Sequence, residues 1–232
     1  METIIVLFFW TLGIVSGLIC IYIVLPHIFK KILKKYCLSA LNNSNYVYLT
    51  FDDGPDAGST LDIVNLLNRY NALGTFFLLG KNIEKNEDIA EKITQSGHCI
   101  GNHGFNHIHP WMSGPIKSMM DLLSSAKYHS FGDLFRPPYG KLNLISMIYI
   151  LTNRIKVVFW DVDPRDYNST SAEEVAEFVV KRAKPGSVIL LHDGRTSDRF
   201  NNPDITVNAV EIILEKLTRI GYQLNGKIGD YI

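Results

Sequence analysis

The sequence predicts an α/β fold, a parallel sheet or barrel with its helices outside, preceded by one apolar helix long enough to cross a membrane. Strand-like and helix-like segments alternate from Tyr46 onward, and polar residues suited to metal binding and acid–base work recur where the apolar strands end. The run from Ile4 to Leu25 contains no charge. With 232 residues, 47% of them hydrophobic and 20% charged, the chain can bury one sizeable core. Its 23 basic residues balance 23 acidic ones, which gives no sign of a nucleic-acid partner. Cys20, Cys37 and Cys99 lack paired spacing, so neither a disulfide framework nor a cysteine zinc site follows.

At about 1.5 Å per residue the uncharged N-terminal run would span roughly 33 Å, enough for the hydrocarbon core. No basic residue precedes it and no Ala-x-Ala-like site comes after it, so an uncleaved anchor is expected rather than a signal peptide. Lys30, Lys31, Lys34 and Lys35 crowd its far end, whereas Glu2 is the only charged side chain before it. The positive-inside rule then favours the cytoplasmic side for the domain beyond the lysines, with the extracytoplasmic side as the alternative. Ile28, Phe29, Ile32, Leu33 and Tyr36 interleave with the lysines, a pattern of an interfacial helix at anionic head groups; a solvated linker is the alternative. The expected division is a transmembrane anchor over residues 1–29, a basic juxtamembrane segment and linker over 30–45, and a catalytic domain over 46–232.

Within that domain, Tyr46 to Phe51 reads as a strand, Thr60 to Tyr70 as an amphipathic helix and Gly74 to Leu79 as a second strand. Asn86 to Ser96 reads as a helix ended by Gly97, and Ile100 belongs to a short third strand. Further on, Leu144 to Thr152, Ala172 to Ala183 and Val207 to Ile220 are expected to be helical, and Lys156 to Trp160 and Ser187 to Leu191 extended. The polar residues sit at strand ends: Asp52 and Asp53 after the first, His103 and His107 after Ile100, Asp161, Asp163 and Asp166 after Trp160, His192 after Leu191.

Adjacent carboxylates inside a strand would point to opposite faces, but at a strand end closed by Gly54-Pro55 both can turn toward one pocket. Asp53, His103 and His107 offer one oxygen and two imidazoles, a donor set suited to a catalytic divalent metal, zinc first and cobalt as an alternative. The four-residue spacing of the histidines is that of one face of a helical turn. His109 is a third candidate but is expected to be a loop residue before Pro110, and His98 to be structural. Asp52, left over when Asp53 takes the metal, is placed to accept a proton from water.

Thr50-Phe51-Asp52-Asp53-Gly54-Pro55, His103-Gly104-Phe105-Asn106-His107, Arg136-Pro137-Pro138-Tyr139-Gly140, Asp163-Pro164-Arg165-Asp166 and Val188-Ile189-Leu190-Leu191-His192 together resemble the motifs of the polysaccharide deacetylases, the NodB-type metal-dependent carbohydrate esterases. The resemblance covers about Tyr46 to Tyr222. It implies a distorted (β/α) barrel and removal of N-acetyl groups from amino sugars of a polysaccharide or lipid-linked glycan. It also implies His192 as general acid oriented by Asp166, Arg136 as the partner that keeps Asp52 ionised, and the Tyr139 amide as an oxyanion donor. Leu190 is then expected to line the acyl methyl pocket.

Two residues depart from the family pattern. Gly104 stands where Ser or Thr is usual, which removes a hydroxyl and suggests a change in loop rigidity or metal affinity. Tyr167 replaces a tryptophan after Asp166, keeping an aromatic wall while reshaping the acyl pocket. Two rival readings accompany deacetylation: deformylation or deacylation of a lipid-linked amino sugar, and a catalytically silent glycan-binding protein. The sequence names no particular sugar and leaves the oligomeric state open.

Overall fold

A computed structural model describes residues 2–42, 44–128, 133–194 and 203–232. Six parallel strands form the centre: β1 (Tyr48–Asp52), β2 (Gly74–Leu78), β3 (Cys99–Asn102), β4 (Leu134–Phe135), β5 (Lys156–Val157) and β6 (Val188–His192). They lie in the order β5-β4-β3-β2-β1-β6. The Val158 amide still donates to Phe135 of β4, whereas Val162 bridges to Ile189 of β6. The chain after β5 thus crosses from one sheet edge to the other and curls the sheet into a half-barrel with a bridged seam. This crossing also cuts β5 short of the expected Lys156–Trp160 strand.

Alternation along the strands sorts their side chains. Leu49, Phe51, Phe76, Leu78, Ile189 and Leu191 share one cluster with the helices, including Ile63, Leu67, Val210 and Ile213. Residues of the other parity, Thr50, Asp52, Leu190 and His192, are left for the inner face, and all four are buried. The outer layer contains α3 (Ser59–Arg69), α4 (Gly80–Ile83), α5 (Glu87–Gln95), α6 (Pro115–Ala126), α7 (Leu144–Asn153), α8 (Ala172–Arg182) and α9 (Pro203–Ile220). The expected helices match these within a few residues. The helices α4 and α6 and the strand β4 had no counterpart in the sequence pattern. Two residues of β4 are too few for a periodicity, and α6 carries apolar residues on its solvent side as well as its inner side.

The N-terminus is one 40-residue helix, Glu2–Leu41, made of α1 (Glu2–Ile19), a π-helical turn (Cys20–Val24) and α2 (Leu25–Leu41). No residue of α1 is buried, and the segment is long and apolar enough to cross a membrane. The chain between 30 and 45, expected as a juxtamembrane segment and linker, stays helical to Leu41 and packs on the barrel. Phe29 and Leu33 lie against Leu142, Tyr149 and Phe159, while Cys37 and Leu41 join Tyr48 and Val188 at the strand starts. Positions 29, 33, 37 and 41 recur every four residues, so they form one helical face. Ile28, Ile32 and Tyr36 are the exposed remainder.

Candidate active site

The first strand ends by separating its two carboxylates. Asp52 is the last residue of β1 and faces inward, level with His192 of the adjacent β6. Asp53 follows with φ 78°, a left-handed conformation that turns its side chain into the same pocket instead of across the sheet. Its backbone is held by the Phe77 carbonyl, which accepts its N–H (3.3 Å), and by the Asn82 side-chain amide, which donates to its carbonyl (2.8 Å).

Arg136 is buried beneath this pair with no exposure. One Nη1 donates to Asp52 Oδ1 and to Thr50 Oγ1, both at 2.8 Å, and the guanidinium stacks 4.1 Å from the Phe77 ring centre. Burial alone would push the Asp52 carboxyl up, but Arg136, His103 and His192 together bring it below its ordinary value. Asp52 is therefore an ionised carboxylate with Oδ1 committed to arginine.

Asp53, His103 and His107 are buried, and their ligand atoms lie within 4.8 Å of one another. Asp53 Oδ1 is 3.6 Å from His103 Nε2 and 3.4 Å from His107 Nε2. Tetrahedral coordination with bonds of about 2.1 Å gives donor–donor edges of roughly 3.4 Å, so the donor set fits a divalent cation. His103 Nδ1 sits 2.7 Å from the Arg136 carbonyl; a carbonyl only accepts, so Nδ1 carries the proton and Nε2 presents its lone pair. The two histidines do not lie on a helical turn, as their spacing suggested. They flank an irregular loop in which Gly104 has φ 82° and His107 φ 57°, and these left-handed residues fold the ring of His107 back to 5.1 Å from that of His103.

The missing hydroxyl at 104 leaves this loop well bonded. Asp121 of α6, buried, accepts the N–H groups of Phe105 (3.0 Å) and Asn106 (2.8 Å), and Asn102 Oδ1 accepts that of Gly104 (2.7 Å). A Cβ at 104 would stand 2.8 Å from Asp121 Oδ2. Glycine here admits the carboxylate that holds the loop, while the expected change in rigidity or metal affinity is a matter for measurement on Gly104→Ser. Asp121 was missed because its partners are 15 and 16 residues upstream, beyond any local pattern.

On the opposite side, His192 Nδ1 and Asp166 Oδ1 are 2.8 Å apart. Asp166 Oδ2 accepts the His192 N–H (2.8 Å) and the Thr206 hydroxyl (2.9 Å). The carboxylate fixes the proton on Nδ1, leaving Nε2 to exchange one. The Tyr167 ring stands edge-on to His192 with centres 5.1 Å apart, and Leu190 shares the inner face with His192. Tyr139, at φ 56°, lies with its ring centre 4.6 Å from that of His107 and 4.8 Å from that of His109.

The remaining polar candidates have structural attachments. Asp161 accepts the Val188 N–H and the Ser187 hydroxyl at the barrel seam, and Asp163 accepts the Arg165 N–H. His98 Nδ1 accepts the Gly74 N–H at 3.4 Å, and burial pulls its pKa down to about 4. Asp193, adjacent to His192, was overlooked as a participant. It is buried, its Oδ2 accepts the Thr60 hydroxyl at 2.6 Å, and a Cβ on Gly54 would come within 2.1 Å of that oxygen. Burial raises its pKa, opposed by Thr60 and reinforced by Asp53 and Asp52, to about 7.

An aspartate and two histidines at strand ends, beside a separate Asp–Arg pair and an Asp–His pair, define a hydrolase site of metal-assisted type. The polysaccharide deacetylase family profile matches residues 41–150, and the chain belongs to that family. A peptidoglycan-N-acetylglucosamine deacetylase of Bacillus cereus is 35% identical over 188 residues, covering 78% of this chain and 86% of the relative. A chitooligosaccharide deacetylase of Azorhizobium caulinodans is 32% identical over 196 residues, 78% of this chain and 92% of that one. Among solved structures, a family 4 carbohydrate esterase from Streptomyces lividans in complex with acetate superposes with a TM-score of 0.69 at 29% identity, covering 80% of this chain and 93% of that one.

Proposed function

We propose that this chain is a membrane-anchored, metal-dependent hydrolase that removes N-acetyl groups from amino sugars of a polysaccharide or lipid-linked glycan. The observation that carries the reading is the division of labour between neighbouring carboxylates: Asp52 is bound to Arg136 at 2.8 Å, while Asp53 sits between two histidines. Asp53, His103 and His107 would hold the cation, with zinc the first choice and cobalt the alternative. When bound, such an ion lowers the pKa of a coordinated water and polarises an acyl oxygen.

The chain's own groups handle the protons. Asp52, kept ionised by Arg136, accepts one from water at Oδ2, the oxygen that faces His103 at 3.6 Å. His192, held by Asp166, delivers one from Nε2 to the departing amine, which otherwise leaves poorly. The Tyr139 amide supports the oxyanion, while Tyr167 and Leu190 wall the acyl pocket. The supporting features are the directions of these hydrogen bonds and the family membership.

We further assign residues 46–232 to the catalytic domain and the apolar start of the N-terminal helix, within residues 1–29, to a single membrane span. The lysines of α2 favour the cytoplasmic face. Deformylation or deacylation of a lipid-linked amino sugar is the second reading, favoured by the apolar N-terminal helix and by Tyr167, whose ring stands 5.1 Å from that of His192.

Acetate and formate release from N-acetylated glycans and from N-acetyl and N-formyl lipid-linked amino sugars, with zinc-loaded enzyme, tests both. Acetate release abolished in Asp52→Asn and His192→Ala supports deacetylation; formate release alone selects the second reading. Glycan binding without turnover in metal-loaded protein would instead establish a silent binding role.

A further inference from the structure

Helix α2 fixes which end of the barrel meets the membrane. Its C-terminal residues Cys37 and Leu41 pack at the strand starts with Tyr48 and Val188. Its N-terminal neighbours lie at the other end, where the strands finish and the site lies. The Tyr22 hydroxyl donates to the Ser113 carbonyl and accepts from Asn143 Nδ2, both at 2.9 Å. Ring contacts continue from His27 to Trp111 (5.8 Å), His109 (6.2 Å), Tyr139 (4.8 Å) and the candidate ligand His107 (4.6 Å). From Tyr22 to Leu41 the helix rises about 28 Å, the depth of a small domain.

The 18 residues of α1 cover about 27 Å at helical rise, close to the hydrocarbon thickness. The bilayer boundary on that reading falls in the Cys20–Val24 turn, at Tyr22, and the rim of loops it touches is apolar on the outside. Met112 is 85% exposed and Ile116 76%. Met112 shares a groove with Leu18, Ile19, Tyr22 and Trp111; the next groove runs from Ile116 and Met120 to Phe105 and Asn106 of the histidine loop. Above this level Lys30, Lys31, Lys34 and Lys141 cluster; burial and then their mutual repulsion hold the Lys30 ammonium below its ordinary value. Apolar tips backed by tyrosine, tryptophan and lysines match the layering of a bilayer interface.

We infer that the rim led by Met112 and Ile116 lies in the interfacial layer of the bilayer, so that the site end of the barrel faces the membrane surface. The inference rests on the reading of α1 as a membrane span. Helix α6 starts at this rim and its far end still lies at the strand ends, where the Ser125 carbonyl accepts from Asn102 Nδ2; immersion is therefore assigned to Met112 and Ile116, the most exposed large apolar residues there.

The test places a nitroxide-quenchable fluorophore on single cysteines in the full chain, with native cysteines replaced by serine, in phosphatidylethanolamine–phosphatidylglycerol vesicles. Sites are Met112 and Ile116, with Ile14 reporting the anchor and Lys92 the far surface. Lipid-borne nitroxide should quench Ile14 strongly, and Met112 and Ile116 several-fold more than Lys92. Quenching at Ile14 with none at Met112 and Ile116 overturns the inference and leaves the anchor standing. Absence at all sites removes the anchor and the inference with it. Shielding of Met112 and Ile116 from a water-soluble quencher without lipid quenching means that a second copy covers the rim, and also overturns it.

Discussion

The floor of the site and the outer rim near α6 both break the ordinary rule of polar outside and apolar inside, in opposite directions. In the floor, Arg136, Asp52, Asp166 and His192 are buried and joined by hydrogen bonds of 2.8 Å. At the rim, Met112 and Ile116 stand in the open. Buried charge is tolerated only when paired, so the floor is rigid and intolerant of change. Exposed apolar residues contribute little to folding, so the rim is free to change unless something else covers it. Both violations point to function, and they should answer mutation differently.

The largest contrast is expected from Arg136→Met. It leaves the Asp52 carboxylate buried without its counter-ion, a loss of about 3–5 kcal/mol by comparison with broken buried pairs. Urea denaturation of metal-loaded protein checks this; a change under about 1 kcal/mol would mean that the floor relaxes or that Asp52 takes up a proton freely.

His98, buried but remote from the chemistry, supplies a pH-dependent control. Its folded pKa of about 4 lies below the ordinary 6.5, so the unfolded chain binds the proton more readily. Its contribution is complete above pH 6.5 and is lost as pH falls through 4, on the order of 3 kcal/mol in all. Stability measured against pH should show this decline in the parent chain and a shallower one in His98→Asn; equal slopes would exclude His98 as the cause.

A smaller effect is expected from Gly104→Ser, a change toward the usual family residue. It places a side chain at φ 82° and within 2.8 Å of Asp121 Oδ2, costing about 1–3 kcal/mol and weakening metal binding. Calorimetric zinc titration checks it, and unchanged or tighter binding would show that the loop shifts to admit the hydroxyl. At the small end, Ile116→Ser should alter stability in detergent by no more than about 0.5 kcal/mol. A larger loss there would make the rim part of the core and erase the contrast.

Much of the fold was legible because the strands and most helices carry local signals. Segments starting at Tyr48, Gly74 and Val188 are short, largely apolar runs of the kind buried parallel strands show, and α3, α5, α8 and α9 show apolar faces bounded by turn residues. The illegible parts lacked such a signal: β4 has two residues, α6 has apolar residues on both sides, and the lysine-interleaved apolar residues of α2 read as an interfacial helix rather than as a face packed on the barrel. In the site, side-chain chemistry named Asp53, His103 and His107, whereas Asp121 and Asp193 act through contacts distant in sequence.

The sequence by itself determined the chemical inventory, the α/β alternation and an uncharged segment long enough for a bilayer, since each depends only on residue type and local spacing. Tertiary structure alone decided that a loop with two left-handed residues, and not a helical turn, aligns the histidines, that Asp121 accepts the loop N–H groups of Phe105 and Asn106, and that α2 lies along the barrel with its start at the site end. These outcomes depend on distances between segments far apart in the chain, which are fixed only when the layers pack.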